Sequence, residues 1–305
     1  MVVERIRIES AQQWHELRRR DLTASDVAAP LGLHPYKTPA QVYAEKTGRA
    51  LPPKKSTNVL SRGKRLEPVF LPLLRDLFPN CRIEPADEYL REPENRLGCT
   101  PDVYLHRPDS ALVTVQLKTA GRGAFARNWA DGPPFWIMLQ ALTEASLANA
   151  VEAMIAVLVV DEWSPLDELE IFTVPRHPAS ELRLRSTSRE FWAAIAEQRM
   201  PNFDFLRDAK LIAALWPTTV EGKTVDLGAD NRLPEVLSER ERLIAEIKQR
   251  EERKSEIEAE IRSKLEDAEI GLVGGWRVTL REVIRKAHQV KESTFRQLRI
   301  SRVLS

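Results

Sequence analysis

The sequence predicts an α/β fold, a central mixed sheet flanked by helices, followed by a helical appendage. Three features predict it. Val151 to Val160 is a nearly continuous apolar run of strand length, the pattern of a strand buried on both faces. Leu112 to Thr119 alternates, with Val113, Val115 and Leu117 on one face and Thr114, Gln116 and Lys118 on the other. Around these runs the order is helices, a β-rich meander, then helix, strand, strand, helix.

Taken in order, Ala11 to Arg20 has helical spacing, and Thr23-Ala24-Ser25-Asp26 reads as the start of a new helix. Pro39 to Thr47 is a short helix closed by Gly48, and Leu51 to Thr57 is a loop. Leu66 to Leu77 is an amphipathic helix that tolerates Pro68 in its first turn, where a missing N–H breaks no bond. Cys81 to Ile83, Glu88 to Arg91, Asp102 to Leu105 and Leu112 to Thr119 are the strands of the meander. Pro134 to Ala150 is helical, Leu169 to Val174 is a strand, and Ala179 to Gln198 is a long helix ended by Met200-Pro201.

Composition shifts near residue 201. Asn202 to Trp216 reads as one more helix, and Pro217 to Arg232 as a linker holding one short strand. Pro234 to Glu269 is a charge-dense helix stopped by Gly271, Gly274 and Gly275, and Trp276 to Val283 alternates like a strand. Leu237, Leu243, Ile244, Ile247, Ile257, Ile261 and Leu265 fall at helical spacing, but Arg250 and Lys254 interrupt the stripe, so the helix is coiled-coil-like only in part. The expected organisation is a core over 1–200, a linker with an extra helix over 201–233, and a charged helix with a basic, β-containing tail over 234–305.

Composition limits the function classes. With 305 residues and 43% hydrophobic content, the chain can bury one large core and carry an appendage. Lys+Arg 46 against Asp+Glu 45 gives a net charge of +1, so the whole molecule makes no electrostatic case for nucleic acid. The tail does: from Gly271 onward Arg277, Arg281, Arg285, Lys286, Lys291, Arg296, Arg299 and Arg302 face only Glu282 and Glu292. Cys81 and Cys99 form no CxxC pattern and the five histidines are scattered, which argues against zinc and for a reducing compartment. There is no apolar signal segment, and the run Ala153 to Val160 is too short to span a bilayer. A soluble, cytoplasmic chain is expected. Gly274-Gly275 lacks a phosphate-loop pattern, so no ATP site is implied.

Three pieces carry chemistry: Thr100-Pro101-Asp102, Thr114-Val115-Gln116-Leu117-Lys118, and Gly63-Lys64-Arg65-Leu66-Glu67. An Asp at a strand end, beside a strand presenting Gln116 and Lys118, can line one cleft, and Glu67 early in an adjacent helix can add a carboxylate. Phosphodiester hydrolysis needs an activated water, a stabilised pentacovalent phosphate and a stabilised leaving alkoxide, which divalent metal ions meet together. Hard Mg²⁺ takes oxygen ligands, and a lysine can orient or deprotonate the water. Each piece also has a plain structural reading: Asp after Pro is a common turn residue, and an alternating strand with Gln and Lys outward is an ordinary half-exposed strand.

In order and spacing the pieces resemble the YqaJ-type viral recombinase, or lambda-exonuclease-like, branch of the PD-(D/E)XK nuclease superfamily. Trp14-His15-Glu16-Leu17-Arg18 followed by Leu22-Thr23-Ala24-Ser25 is the most specific match; Leu31-Gly32-Leu33-His34-Pro35-Tyr36, Lys46-Thr47-Gly48, Gly63 to Glu67, Thr100-Pro101-Asp102 and Gln140 follow at family-like intervals. The resemblance spans about residues 12 to 200. It implies Asp102 as the main metal ligand, Gln116 at the acidic position, Lys118 as the catalytic lysine, Glu67 in the metal shell and Gln140 in support. It implies Arg18 and Ser25 as ligands of a DNA phosphate, assisted by Thr100; singly, Arg18 reads as a solvated helix residue and Ser25 as a cap.

The resemblance further implies a Mg²⁺-dependent exonuclease, with Mn²⁺ as a substitute, that degrades one strand of linear duplex DNA 5′ to 3′. Its partners would be double-stranded DNA ends and a single-strand annealing protein, with a homo-oligomer as in ring-forming relatives. Gln116 departs from the pattern, because an amide oxygen brings no charge to a metal. Three accounts of it stand: a native variant with Glu67 and Asp102 sufficient, a disabling engineered substitution, or a homologue that binds DNA ends without cutting. An endonuclease on the same fold is a further alternative. Gly121-Arg122-Gly123 and Trp129 to Trp136 read either as a wedge near the DNA end or as a stiff loop anchored in the core.

Overall fold

The computed structural model describes residues 2–49, 58–161, 168–284, 296–298 and 300. The chain divides into two compact units, Met1–Pro217 and Thr218–Ser305. In the first, β1 (Glu4–Arg7), α1 (Ala11–Arg20), β2 (Leu22–Thr23), α2 (Pro39–Lys46) and α3 (Asn58–Leu77) precede the meander β3 (Arg82–Pro85), β4 (Glu88–Glu92), β5 (Leu97–Cys99), β6 (Val103–His106) and β7 (Leu112–Gly121). Then come α4 (Arg122–Asn128), α5 (Phe135–Ala148), β8 (Glu152–Val160), β9 (Glu168–Pro175), α6 (Pro178–Ala196) and α7 (Ala209–Leu215).

The main sheet has the order β3-β6-β7-β8-β9. Only β7 and β8 run parallel, and α4 and α5 supply the crossover that a parallel pair requires. The alternation of β7 holds. Val113 and Val115 join Phe70 and Leu74 of α3 in one core layer, while Gln116 and Lys118 point to the opposite face and bond to α5. On that face Leu139 and Leu142 of α5 pack with Ile155 and Val157 of β8. Every residue from Ala153 to Val159 is buried, as the apolar run requires. A smaller sheet, β1-β4-β5-β2, pairs β2 with β5 in parallel and so fixes the Thr23–Asp26 segment beside the strand that leads to Thr100. Gly98 allows this close packing, because a Cβ there would overlap the Tyr89 ring.

Several boundaries differ from the sequence reading. Thr23 to Asp26 starts no helix: Leu22 and Thr23 pair as a strand and residues 24–32 run through turns. The Asp26 carboxylate is drawn to Lys37 and Lys46, so it does not cap a helix. Helix α3 starts at Asn58, which places Pro68 and Pro72 in its interior. Both prolines are exposed, so the carbonyls they leave unbonded fall on the solvent side. Residues 202–208 are irregular, and α7 forms only from Ala209. The short strand expected in 217–232 is absent among the described residues. Leu51 to Thr57 lies outside them.

In the second unit, α8 (Leu233–Leu265) is 33 residues long with no buried residue. It is supported locally by i,i+4 ion pairs such as Lys254–Glu258 at 3.3 Å and Glu260–Lys264 at 2.5 Å. The glycines do not stop this helix but serve the hairpin after it. Strands β10 (Ile270–Val273) and β11 (Trp276–Thr279) pair across Gly274 and Gly275, whose φ values of 51° and 81° suit a two-residue turn. Of the basic tail, Arg277, Arg281 and Arg296 lie among the described residues. No described helix is long and apolar enough to cross a membrane.

Candidate active site

The site forms where β6, β7 and α5 meet. Val103 pairs with Val115, so Asp102, just before β6, lies opposite Gln116. Asp102 Oδ2 accepts from the Leu117 backbone N–H at 2.8 Å and from Gln116 Nε2. Gln116 Oε1 accepts from Gln140 Nε2 at 2.6 Å, and Gln140 Oε1 accepts from Lys118 Nζ at 3.2 Å. Gln140 Nε2 also donates to Glu144 Oε1 at 3.0 Å, one helical turn along α5. Asp102, Gln116, Lys118 and Gln140 are thus one hydrogen-bonded group. Glu67, exposed on α3, reaches it by charge: it helps to raise the Asp102 pKa.

The electrostatics follow from burial. Burial is the main force that raises the Asp102 pKa, against the Leu117 N–H and the Lys118 charge, which lower it. Burial likewise lowers the Lys118 pKa, partly opposed by Asp102 and Glu144. A lysine moved toward neutrality gives up its proton more readily than an exposed one, which suits it to proton exchange with water. Burial, helped by the Asp102 charge, pushes Glu144 up to about 8.

Glu144 is the residue that sequence reasoning missed. It is 1% exposed, and its Oε2 has no hydrogen-bond partner among the described residues. Its signal was an acid four residues after Gln140, hence on the same helix face, inside a segment whose other neighbours are apolar or small.

A second group gathers the expected phosphate ligands. Arg18 Nη2 donates to Ser25 Oγ at 3.0 Å, and the Arg18 guanidinium lies 4.5 Å from the centre of the Trp14 ring. Trp14 Nε1 donates to Thr100 Oγ1 at 3.0 Å, which ties Arg18 and Ser25 to the Thr100-Pro101-Asp102 segment. Behind them is a buried frame. Asp26 accepts from Thr23 Oγ1 at 2.7 Å and pairs with Lys37 at 2.7 Å and Lys46 at 3.2 Å. Lys46 also donates to the Arg18 carbonyl at 2.6 Å. Burial would raise the Asp26 pKa, but Lys37 and Lys46 outweigh it and hold the carboxyl well below its ordinary value.

Of the two tryptophans in the 129–136 segment, Trp129 is an anchor, stacked on Phe125 at 5.8 Å and packed on Phe172 at 5.6 Å. Trp136 is half-buried, with His34 at 4.8 Å and the exposed Tyr36 at 6.1 Å. Between α3 and the end of β8 a cleft is lined by Ser61, Arg62, Arg65, Leu66 and Val160.

No group of three or more His, Cys, Asp or Glu is placed to hold a metal among the described residues. The smaller set still fits one hard divalent cation, which commonly takes one or two carboxylates and completes its shell with water and phosphate. Both Asp102 bonds go to Oδ2, which leaves Oδ1 for a ligand. Glu67 adds a like charge that a cation would neutralise, and the Leu117 carbonyl lies next to Gln116 Nε2 at 3.4 Å. Gln116 fits least, because it turns its N–H, not its oxygen, to Asp102.

Residues 13–150 match the model of the YqaJ-like viral recombinase domain. Among solved structures, an alkaline exonuclease from Laribacter hongkongensis is similar at 15% identity, with 67% of this chain covering 100% of that one at a TM-score of 0.50. The same exonuclease in complex with dAMP matches at 16% identity, 66% and 100% coverage and a TM-score of 0.51. A phage-related exonuclease from Haemophilus somnus has 12% identity, 61% and 99% coverage and a TM-score of 0.43. No curated protein matches the chain.

Proposed function

From a YqaJ-like viral recombinase domain over residues 13–150, we propose that this chain is a divalent-metal-dependent deoxyribonuclease acting on the ends of linear duplex DNA, an exonuclease of the phage recombination type. Mg²⁺ is the cation the donor set suits best, with Mn²⁺ as a substitute. It trims one strand 5′ to 3′ and leaves a 3′ single-stranded tail for an annealing protein, as a homo-oligomer around the duplex. The observation that carries the reading is the joined pair of groups: the Asp102–Gln116–Gln140–Lys118 network and the Arg18–Ser25–Trp14–Thr100 cluster are linked through one tripeptide, Thr100-Pro101-Asp102. A reacting phosphate and the terminal phosphate of the same strand then have separate holders. The likeness to a dAMP-bound exonuclease adds a fold known to hold a nucleotide.

When bound, the metal ion supplies Lewis acidity to the phosphoryl oxygens and makes its bound water more acidic. The remaining roles belong to side chains. Lys118, held by Gln140 Oε1, accepts the proton of the attacking water or stabilises charge as the pentacovalent phosphate forms. Asp102 and Glu67 carry the negative charge that retains the cation. Arg18 and Ser25 grip a 5′-phosphate through charge-assisted hydrogen bonds, with Thr100 beside them. Arg62 and Arg65 line the cleft along which a backbone can run.

One observation favours a second reading, a DNA-end-binding protein that does not cut. The Gln116 amide turns its N–H, not its oxygen, to Asp102 and so brings neither charge nor a donor oxygen to a cation there. Linear and closed circular duplex incubated with Mg²⁺ separate the readings. Progressive loss of linear DNA only, abolished in Lys118→Ala, is expected. Cutting of circles would show an endonuclease. Retarded but intact DNA, with wild type and with Gln116→Glu, would establish the binding protein.

A further inference from the structure

Strand β7 carries an amide where the reaction calls for an acid, yet the site is not short of carboxylates. Glu144 approaches it from α5. Its Oε1 accepts from the same Gln140 nitrogen that donates to Gln116 Oε1, so strand position 116 and Glu144 share one bridging amide. Its other oxygen is buried with no partner. Burying an unpaired carboxylate oxygen is costly, so a fold that needed only packing here would place an apolar residue. Thr114, two residues before Gln116 on the same face of β7, also has a buried hydroxyl without a partner.

Donor and acceptor chemistry makes Glu144 more than a neighbour. Lys118 can only donate, and Glu144 Oε1 accepts in either protonation state. Placed at the two ends of Gln140, they fix which way its amide points: Oε1 to Lys118, Nε2 to Glu144 and Gln116. That choice turns the Gln116 oxygen toward Gln140 and its N–H toward Asp102. A glutamate at 116 would find a second carboxylate on the other side of Gln140. A glutamine at 116 finds the complement it needs.

We propose that in the cation-bound protein Glu144 supplies from helix α5 the negative charge that β7 lacks at position 116, so that Gln116 and Glu144 form a matched pair in which the acid has moved one layer behind the strand. Glu144 is a positioning residue: it acts on the cation and on Lys118 through Gln140 and through its charge. The inference rests on the nuclease reading above, and it makes Gln116 a native partner and not a lesion.

The test is Mn²⁺ affinity of the full chain, read by electron paramagnetic resonance, with melting curves taken without metal and cleavage of linear DNA taken alongside. Glu144→Gln is expected to weaken Mn²⁺ binding by roughly 10–100-fold, the usual effect of losing a residue behind the ligands. Glu144→Asp, which keeps the charge, and the exchange Gln116→Glu/Glu144→Gln, which returns it to the strand, are each expected to bind much closer to wild type than Glu144→Gln does. Wild-type affinity in Glu144→Gln, with cleavage intact, would overturn this inference and leave the nuclease reading standing. Equal losses in Glu144→Asp and Glu144→Gln would mark a packing role and overturn it as well. A wild type that neither binds Mn²⁺ nor cleaves would overturn both.

Discussion

The two buried charge groups of the first unit have different balances. Around Asp26 two lysines meet two carboxylates: Asp26 pairs with Lys37 and Lys46, Glu45 pairs with Lys37, and both Asp26 oxygens are engaged. Around Lys118 one lysine serves two carboxylates, Asp102 and Glu144, and one carboxylate oxygen is left alone. The consequence is visible in the direction of titration: Asp26 is held low, whereas Asp102 and Glu144 are driven up. A group with its charges matched is a frame. A group with more carboxylates than lysines is, on the function proposed above, the place for a cation, with the lysine beside it as the proposed base. That difference can be broken at either end.

The largest effect belongs to the lysine of the unbalanced group. Lys118→Ala is expected to lower single-turnover cleavage of linear DNA by about 10²–10⁴-fold, the usual contribution of a positioned acid–base group. Its melting temperature should fall only modestly, since Gln140 Oε1 loses its donor while the frame around Asp26 is untouched. Next is the frame itself. Asp26→Ala leaves Lys46 buried without its counter-charge and Lys37 with Glu45 alone, and denaturant unfolding should show a loss of about 3–5 kcal/mol. Cleavage by the folded fraction should fall less than in Lys118→Ala.

Smaller again is the difference in response to pH. Asp26 has a folded pKa below its unfolded one, so its contribution is present at neutral pH and disappears as pH falls below about 3.8. Glu144 has a folded pKa raised from 4.5 to about 8, so the metal-free protein should lose stability as pH rises between those values. Unfolding curves from pH 3 to 9 should bend both ways, and the Glu144→Gln curve should lose only the upper slope. The smallest effect is expected for Arg18→Ala. It should reduce the preference for 5′-phosphorylated over 5′-hydroxyl ends by about tenfold, at the lower end of what a lost charge-assisted bond costs. Competition between the two ends in one reaction reads it.

The sequence made the centre of the fold legible and left its margins obscure. Val151 to Val160 and the alternation of Leu112 to Thr119 announced β8 and β7, because a strand covered on both faces leaves few polar residues to confuse the pattern. The strands β1, β2 and β5 escaped. Glu4–Arg7 is mostly exposed and charged, and Leu22–Thr23 and Leu97–Cys99 are strands only because each lies beside its partner. Arg18, Ser25, Asp102, Gln116, Lys118 and Gln140 were all named from the chain, and the structure joins them. Glu144 was not. A helix buried on nearly all sides has no polar face, so an acid within it looks like the missing face of an amphipathic pattern until its neighbours are known.

The central claim is that the unbalanced group is a cation site and the balanced one is not. Melting of the full chain with increasing Mn²⁺ tests it most directly, because a ligand that binds only the folded state stabilises it by mass action. The account predicts a saturable rise of roughly 5–10 °C for the first unit at concentrations about a hundredfold above the dissociation constant. It predicts no rise in Asp102→Asn and a normal rise in a conservative Lys37→Arg change. An unchanged melting temperature in the wild type, or an undiminished rise in Asp102→Asn, would contradict it.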